Sequence, residues 1–436
     1  MRVLVIGSGG REHAIVWKIS QSKALTALYC APGNPGIASH ARCLSLKATD
    51  HKSLLEFAKA ERIDLTVVGP EQPLAEGIAD LFESDGLTIF GPTRLASQLE
   101  WSKAFAKEFM MRHSIPTALY RTFGVDDVSS IRDYVTRSPK PLVLKVDGLA
   151  AGKGVMICST VDQALSSVND IVQKRAFGPA GNKIVVEEFL EGREASVFAV
   201  CDGVDYLTLA SAQDYKRAFD HDRGKNTGGM GSYAPATLID ARILDAIRRQ
   251  IIEPALQGMA KGGMPYKGCL YVGVMITKEG PKVVEFNSRF GDPETQVVLP
   301  IFKGDFLEML LAASTKNLAS WKRRAHFEVA AGAAVCVILA SKGYPDVYET
   351  GKDIHGLDES AGRENLMVFH AGTTMIGNTV RTAGGRVLGV TSHEPNGSLI
   401  GAVESAYAAV RHISFDGMHF RKDIGRSAPL HELKVS

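Results

Sequence analysis

The chain has 436 residues, 45% hydrophobic and 22% charged, enough for two or three cored domains and unlike a disordered or fibrous polypeptide. Its formal net charge of +2 gives neither a basic face for nucleic acid nor a cationic one for a membrane surface, so neither partner is expected. Small anionic ligands remain open, because they need local positive charge only, and no obligate protein partner is evident.

The cysteines (Cys30, Cys43, Cys158, Cys201, Cys269, Cys336) are scattered, with no C-x-x-C pair and no histidine at zinc-ligand spacing, as for buried thiols in a reducing compartment. Met1-Arg2 leads into Val3-Leu4-Val5-Ile6, too short for a signal-peptide core, and no later apolar run approaches about 18 residues. A cytoplasmic protein is expected.

The first hundred residues alternate β-rich runs (2–6, 28–30, 65–68, 88–90) with helical patterns (from 12, 51–60, 74–83). This rhythm predicts an α/β unit with a doubly wound parallel sheet. The runs lead into Gly7-Ser8-Gly9-Gly10-Arg11, Pro32-Gly33-Asn34-Pro35-Gly36, Gly69-Pro70-Glu71 and Gly91-Pro92-Thr93, loops that such a sheet gathers at its carboxyl edge, where ligands bind. Gly7 and Gly9 fit the dinucleotide fingerprint, but Glu12 takes its third-glycine place and no acidic residue ends the second strand, which disfavours NAD. A small phosphate on the Gly9, Gly10 and Arg11 amides at the helix N-terminus is the better expectation.

A helix is predicted at 103–112, a boundary at Ile115-Pro116, and strands at 141–146 and 155–158 around Asp147-Gly148-Leu149-Ala150-Ala151-Gly152-Lys153-Gly154. A Walker A loop needs four residues between its first Gly and the Gly-Lys pair, then Ser or Thr. Here there are three, then Gly154. What remains is a glycine-rich hairpin able to fold over phosphates, with Lys153 at its tip and Lys145 on the strand leading in, or, more plainly, a solvated turn. A helix at 161–174 and a strand at 183–186 complete an insert. Glu187-Glu188-Phe189-Leu190 then joins it to the rest and can offer backbone groups to an adenine edge, with Phe189 or Leu190 on the ring face.

A hairpin turns at Asp202-Gly203. Gln213-Asp214-Tyr215-Lys216-Arg217 and Asn226-Thr227-Gly228-Gly229-Met230-Gly231 flank a polar stretch with a solvated His221. Composition alone makes this a mobile surface loop, whereas its length and glycine-rich end fit an active-site lid. Strands at 268–276 and 282–287 follow. Alternation puts Glu285 and Asn287 on one face and Val284 and Phe286 in the core. Two such oxygen ligands suit a hard cation, with Arg289 placed to meet an anion beyond. From about 326 a third section, with β runs at 333–339 and 386–391, has few clustered charges and is given a closing or packing role.

In this order, a strand lysine, a glycine-rich hairpin, a hinge pair of glutamates and a Glu-x-Asn strand resemble the ATP-grasp ligases. More narrowly, Gly7-Ser8-Gly9-Gly10-Arg11-Glu12-His13-Ala14, Val68-Gly69-Pro70-Glu71, the loops at 147–154 and 226–231, and Arg289-Phe290-Gly291-Asp292-Pro293-Glu294-Thr295-Gln296 are similar to the glycinamide ribonucleotide synthetase family. The resemblance runs from Met1 to the 421–425 segment. It implies an N-terminal doubly wound sugar-phosphate domain at 1–100, an ATP-grasp domain at 101–325 with an inserted lid at 117–188, and a small α+β domain at 326–436.

It further implies ATP between lid and main domain, with Lys103, Lys145, Gly152, Lys153 and Gly154 near phosphates. Glu187, Glu188, Phe189, Leu190 and Glu194 would surround adenine and ribose, and Asn226 the closing loop. Glu285 and Asn287 would hold Mg²⁺ or Mn²⁺. The γ-phosphoryl group would pass to glycine, and the amine of 5-phosphoribosylamine would attack the glycyl phosphate, in de novo purine biosynthesis. Gly9, Gly10, Arg11, Asn34 and Glu71 would meet the sugar phosphate, Arg289, Gly291 and Asp292 the glycine. Arg289, Asp292, Lys216 and Asp214 would carry catalysis. With the chain ending at Ser436, a single activity is expected. ATP-grasp ligases that activate bicarbonate or formate would share the phosphoryl chemistry, but residues 289–296 argue against them.

Overall fold

A computed structural model of the chain describes residues 1–149, 154–172, 182–360 and 365–426. Gly152 and Lys153 lie outside the described residues. The N-terminal region holds β1 (Arg2–Gly7), β2 (Ala27–Pro32), β3 (Arg42–Cys43), β4 (Leu65–Val68) and β5 (Ile89–Phe90). They form the expected parallel sheet, in the order β3-β2-β1-β4-β5. Val3, Leu4, Val5 and Ile6 are wholly buried because helices cover both faces of the sheet. The helix expected at 74–83 is two, Glu71–Ala75 and Ile78–Ser84, because Gly77 adopts φ +91° between them.

The insert carries β6 (Tyr120–Gly124), β7 (Leu142–Val146), β8 (Val155–Cys158) and β9 (Lys183–Glu188), an antiparallel sheet in the order β6-β9-β7-β8. Helices Val128–Arg137 and Val161–Val172 pack on it through Ile131, Val135, Ala164 and Val168. It rests on helix Lys103–Arg112, whose first turn is fixed by the Ser102 side chain accepting from the Phe105 amide, a cap that stabilises by about 1 kcal/mol.

The chain then forms β10 (Arg193–Asp202), β11 (Tyr206–Thr208), β12 (Gln213–Asp214), β13 (Arg217–Phe219), β14 (Arg223–Asn226), β15 (Gly231–Ala234), β16 (Lys267–Thr277) and β17 (Gly280–Asn287). Strands β11-β10-β16-β17 make the sheet beneath the site. Its pairing shifts at Gly273/Val274, so that Gly273 faces Glu285 while Val274 faces Val283. This bulge corrects the simple alternation expected for β17: Val283 enters the core with Phe286, whereas Val284 stays with Glu285 on the open side.

The last described region adds β18 (Ala333–Ala340), β19 (Leu366–His370), β20 (Thr373–Ile376), β21 (Thr379–Thr382) and β22 (Arg386–Glu394). Its sheet does not stand apart, because β12 and β15 extend it in the order β12-β15-β18-β22-β19. Helix Thr295–Ile301, buried at every residue, lies where the N-terminal, central and C-terminal regions meet. The charged loop at 288–294 enters this helix and is anchored by it.

Candidate active site

At the carboxyl edge of β1 the amide of Gly9 donates to Glu12 Oε2 at 2.6 Å. Glu12 is buried beneath glycines that leave it room: a Cβ at Gly69 would lie 2.2 Å from its Oε1. The phosphate expected at this helix N-terminus therefore gives way to the protein's own carboxylate. Gly10 is closed over by Gln296, whose Nε2 would meet a Cβ there at 2.6 Å. Asn34 spends its amide on the carbonyls of Ser8 (2.8 Å) and His370 (2.9 Å) and its oxygen on the Ile37 amide. Gly9, Gly10 and Asn34 thus do not line the cavity beside them, while Arg11 and Glu71 do.

That cavity has a volume of about 450 Å³ and is lined by seven basic side chains (Arg11, Lys103, Lys107, Lys145, Lys216, Arg289, Arg386) and seven acidic ones (Glu71, Glu100, Glu187, Asp214, Glu285, Asp292, Glu294). The cations are mostly engaged already. Arg289 meets Glu100 at 2.9 Å, Asn287 Oδ1 at 3.0 Å and Glu71 at 3.5 Å. Burial opposes its charge, but Glu100 and Glu71 outweigh burial and raise its pKa further, so it stays a cation. Glu100 accepts from the Ser288 amide and hydroxyl at 2.8 and 2.7 Å. Burial pushes its carboxyl up even so, against the pull of Arg289.

On the lid side, Glu187 joins two lysines from different elements: Lys107 on helix Lys103–Arg112 at 3.1 Å and Lys145 on β7 at 3.0 Å. Lys145 also donates to the Val284 carbonyl at the bulge, at 3.0 Å. Burial pulls the Lys107 pKa down to about 8, and it lowers that of Lys103, whose ammonium donates to the Gly148 carbonyl. A second, smaller cavity of about 190 Å³ runs between Val143, Val155, Ile157, Phe189, Leu190 and Met275, with Glu187, Glu188, Glu194 and Asn226 also on its wall. Apolar faces and a polar rim suit a planar heterocycle. Glu188 itself pins the hinge, accepting from the Leu119 amide at 2.9 Å.

Between the cavities lies Lys216, 2.8 Å from Glu194 and 4.0 Å from Glu285. Burial disfavours its charge, yet Glu194, Asp214 and Glu285 raise its pKa well above the ordinary lysine value. Asp214 shows the opposite balance: burial, helped by Glu294, Glu194 and Glu285, pushes it up to about 7 despite Lys216. For Glu285, burial favours the neutral acid, but Lys216, Lys145, Lys103 and Arg289 together hold it below the usual carboxylate range.

An ionised Glu285 on the same cavity wall as Asn287, whose amide oxygen accepts from Arg289, fits Mg²⁺, which takes one or two protein oxygens and completes its shell with phosphate and water. The charge census agrees. With seven cations matched by seven acids, a polyphosphate brings negative charge that the side chains alone leave unbalanced.

Residues 1–100 match the phosphoribosylglycinamide synthetase N domain, 101–295 its ATP-grasp (A) domain and 334–427 its C domain. The chain belongs to the phosphoribosylglycinamide synthetase family. Similar family members include the phosphoribosylamine–glycine ligases of Chlorobaculum tepidum, 48% identical over 98% of this chain and 100% of that one, and of Caldanaerobacter subterraneus subsp. tengcongensis, 47% identical over 97% and 99%. The trifunctional purine biosynthetic protein adenosine-3 of Gallus gallus is 46% identical over 98% of this chain, which corresponds to 42% of that protein. The crystal structure of the Thermotoga maritima phosphoribosylamine–glycine ligase superposes with a TM-score of 0.83 at 31% identity, covering 97% of this chain and 100% of that one. The biotin carboxylase domain of Hydrogenobacter thermophilus 2-oxoglutarate carboxylase, at 16% identity and a TM-score of 0.70 over 96% of this chain and 91% of that one, shares the fold.

Sequence reading in this family chain missed Glu100, Lys107, Glu294, Tyr344 and Arg386, all of which line the larger cavity. Glu294 is buried and accepts from Ser196 Oγ and Tyr271 Oη, each at 3.0 Å. Its place within the 289–296 run was a usable signal. The others carried none, being isolated charges or rings on unremarkable helices, a turn and a strand end. Among the described residues no helix is long and apolar enough to cross a membrane.

Proposed function

We propose that this protein joins glycine to 5-phosphoribosylamine with cleavage of ATP to ADP and phosphate, through glycyl phosphate. The observation that carries the reading is the cavity itself, where Arg289 and Asp292 share the wall with the lysines and Glu285, next to an apolar slot of heterocycle size. The nearly full-length likeness to phosphoribosylamine–glycine ligases supports it.

Adenine occupies the slot by Phe189 and Leu190, and the phosphates face Lys103 and Lys145. Glu285 and Asn287 hold a divalent cation, Mg²⁺ or Mn²⁺, which when bound withdraws charge from the polyphosphate. A glycine carboxylate oxygen attacks the γ-phosphorus, the bond to the β-phosphate oxygen breaks, and ADP leaves. Nucleophile and phosphate carry the same sign of charge, so Arg289, Lys103 and Lys145 lower their mutual repulsion. The amine of phosphoribosylamine then attacks the acyl carbon, phosphate departs, and the amine proton passes to the Asp214 carboxylate. Arg11 and Glu71 face the sugar phosphate. The loop at 226–231 and the lid exclude water from an intermediate that water would hydrolyse.

ADP release is expected only with glycine, phosphoribosylamine and Mg²⁺-ATP all present. Equal release with bicarbonate or formate in place of glycine overturns the reading.

The Asp214 assignment has its own test. A base must be ionised, so kcat/KM for the amine is expected to rise about tenfold per pH unit below about 7 and to level off above it. Asp214→Asn is expected to remove that limb along with about 10²–10⁴ of the rate. Because folding raises this carboxyl's pKa, its stabilising contribution is complete below the unfolded value of 3.8 and is lost as pH rises through about 7. At pH 8 the Asn variant should therefore melt above wild type. A lower Tm at pH 8, or an unchanged pH limb, removes Asp214 from this role.

A further inference from the structure

We propose that Arg386 is a positioning residue which locks the acceptor side of the cavity. From the C-terminal region, it ties the glycine-rich turn at 227–229 to the Asp292 loop. Its Nη1 donates to the carbonyls of Gly228 at 2.5 Å and Asp292 at 2.7 Å, and its Nη2 meets Asp292 Oδ2 at 3.0 Å. One planar fork thus fixes two loops that are neighbours only in the folded protein. Tyr344 supports the same turn by accepting from the Gly228 amide at 2.9 Å.

The turn passes this constraint on to the catalytic side chains. Thr227 donates to the Lys216 carbonyl through its amide at 2.7 Å and its hydroxyl at 2.9 Å, and the Met230 amide donates to the Tyr215 carbonyl at 2.8 Å. Lys216, and Asp214 two residues before it at the end of β12, are therefore registered against the turn. On the other side, Asp292 is two peptide bonds beyond Phe290, whose carbonyl receives both Arg11 and Arg289. The turn has little slack: Gly229 adopts φ +111°, and a Cβ there would lie 2.4 Å from Pro293. Removing the guanidinium frees the distance between Lys216 and the Arg289 loop, whereas Lys103, Lys145 and the Phe189–Leu190 side of the heterocycle slot lie outside the turn.

The kinetic arm of the test rests on the ligase reading, whereas amide exchange does not. In Arg386→Ala, exchange of the 226–231 peptide is expected to quicken about tenfold. Its kcat should fall by about 10–100-fold, the cost of a displaced reacting group, with KM for ATP within threefold of wild type by the same argument. Added guanidinium ion should restore part of kcat, which a general loss of structure does not allow, while Arg386→Lys should not, since an ammonium in the place of Nη1 leaves Asp292 Oδ2 without the second nitrogen of the fork. Wild type lacking glycine-dependent ADP release would sink the ligase reading alone. Unchanged exchange at 226–231, or an active wild type whose kcat Arg386→Ala leaves within twofold, sinks this inference. If Arg386→Ala does not fold, Tyr344→Phe decides: it removes only the hydroxyl and should lower kcat about 3–10-fold with faster exchange at Gly228, as loss of one hydrogen bond implies, and no change in either overturns the proposal.

Discussion

Arg289→Ala is expected to lose the fold and the reaction together. The guanidinium is buried against Glu100, Glu71 and Asn287, and Glu100 already sits where burial favours its neutral form. Removing the cation leaves that carboxyl with only the Ser288 donors. Breaking a buried pair on one side costs about 3–5 kcal/mol, so thermal unfolding should begin well below wild type. Glycine-dependent ADP release should fall below detection. The double variant Arg289→Ala with Glu100→Gln separates the two losses, because it removes the stranded charge: part of the Tm should return and none of the activity. A double variant as unstable as the single one would show that the loop's packing, and not the buried charge, carries the stability effect.

Glu285→Ala is expected to give the opposite pattern, four residues away. Its side chain is half-buried, with 40% open, and the cation it meets is Lys216 at 4.0 Å. Little stability depends on such a contact. The carboxylate is nonetheless held ionised by Lys216, Lys145, Lys103 and Arg289 against the pull of burial, as befits a metal ligand. Turnover should drop by about 10³-fold, in line with losing a preorganised electrostatic partner of the transferring group, with Tm within about 2 °C by comparison with an exposed pair. Binding of Mn²⁺ with ATP, followed by paramagnetic resonance, should weaken in parallel. A large fall in Tm with metal binding intact would make Glu285 a structural residue.

Legibility followed sequence distance. The β7 lysine, the hairpin, Glu187 to Leu190, Glu285 and the 289–296 run were readable because each is a local pattern on one element. The parallel sheet was readable because its strands and turns alternate. Arg386 and Glu100 were not, since the first meets Asp292 and the second Ser288 across 94 and 188 residues, respectively, and no local pattern marks such a pairing. The closing role given to the C-terminal region missed that it supplies a cavity wall. Glu12 was half legible: it told against NAD, but a glutamate three residues after a helix cap is also a known partner for the cap's amide, and that reading would have filled the supposed phosphate place. The bulge in β17 left no trace in a strand whose residues alternate well on paper.

The sheet shared by β12, β15, β18 and β22 has a consequence for synthesis on the ribosome. The N-terminal sheet has all its strands by Phe90 and the lysines of the larger cavity are made by Lys216, but β15 gains its second neighbour only with β18 and the turn its guanidinium only with Arg386. A nascent chain, or one released early by stalled translation, carries the lysines and the heterocycle slot with the Asp292 side of the cavity open to water. In the proposed reaction such a chain would leave glycyl phosphate open to water. In that reaction, productive nucleotide cleavage would await β18 and Arg386.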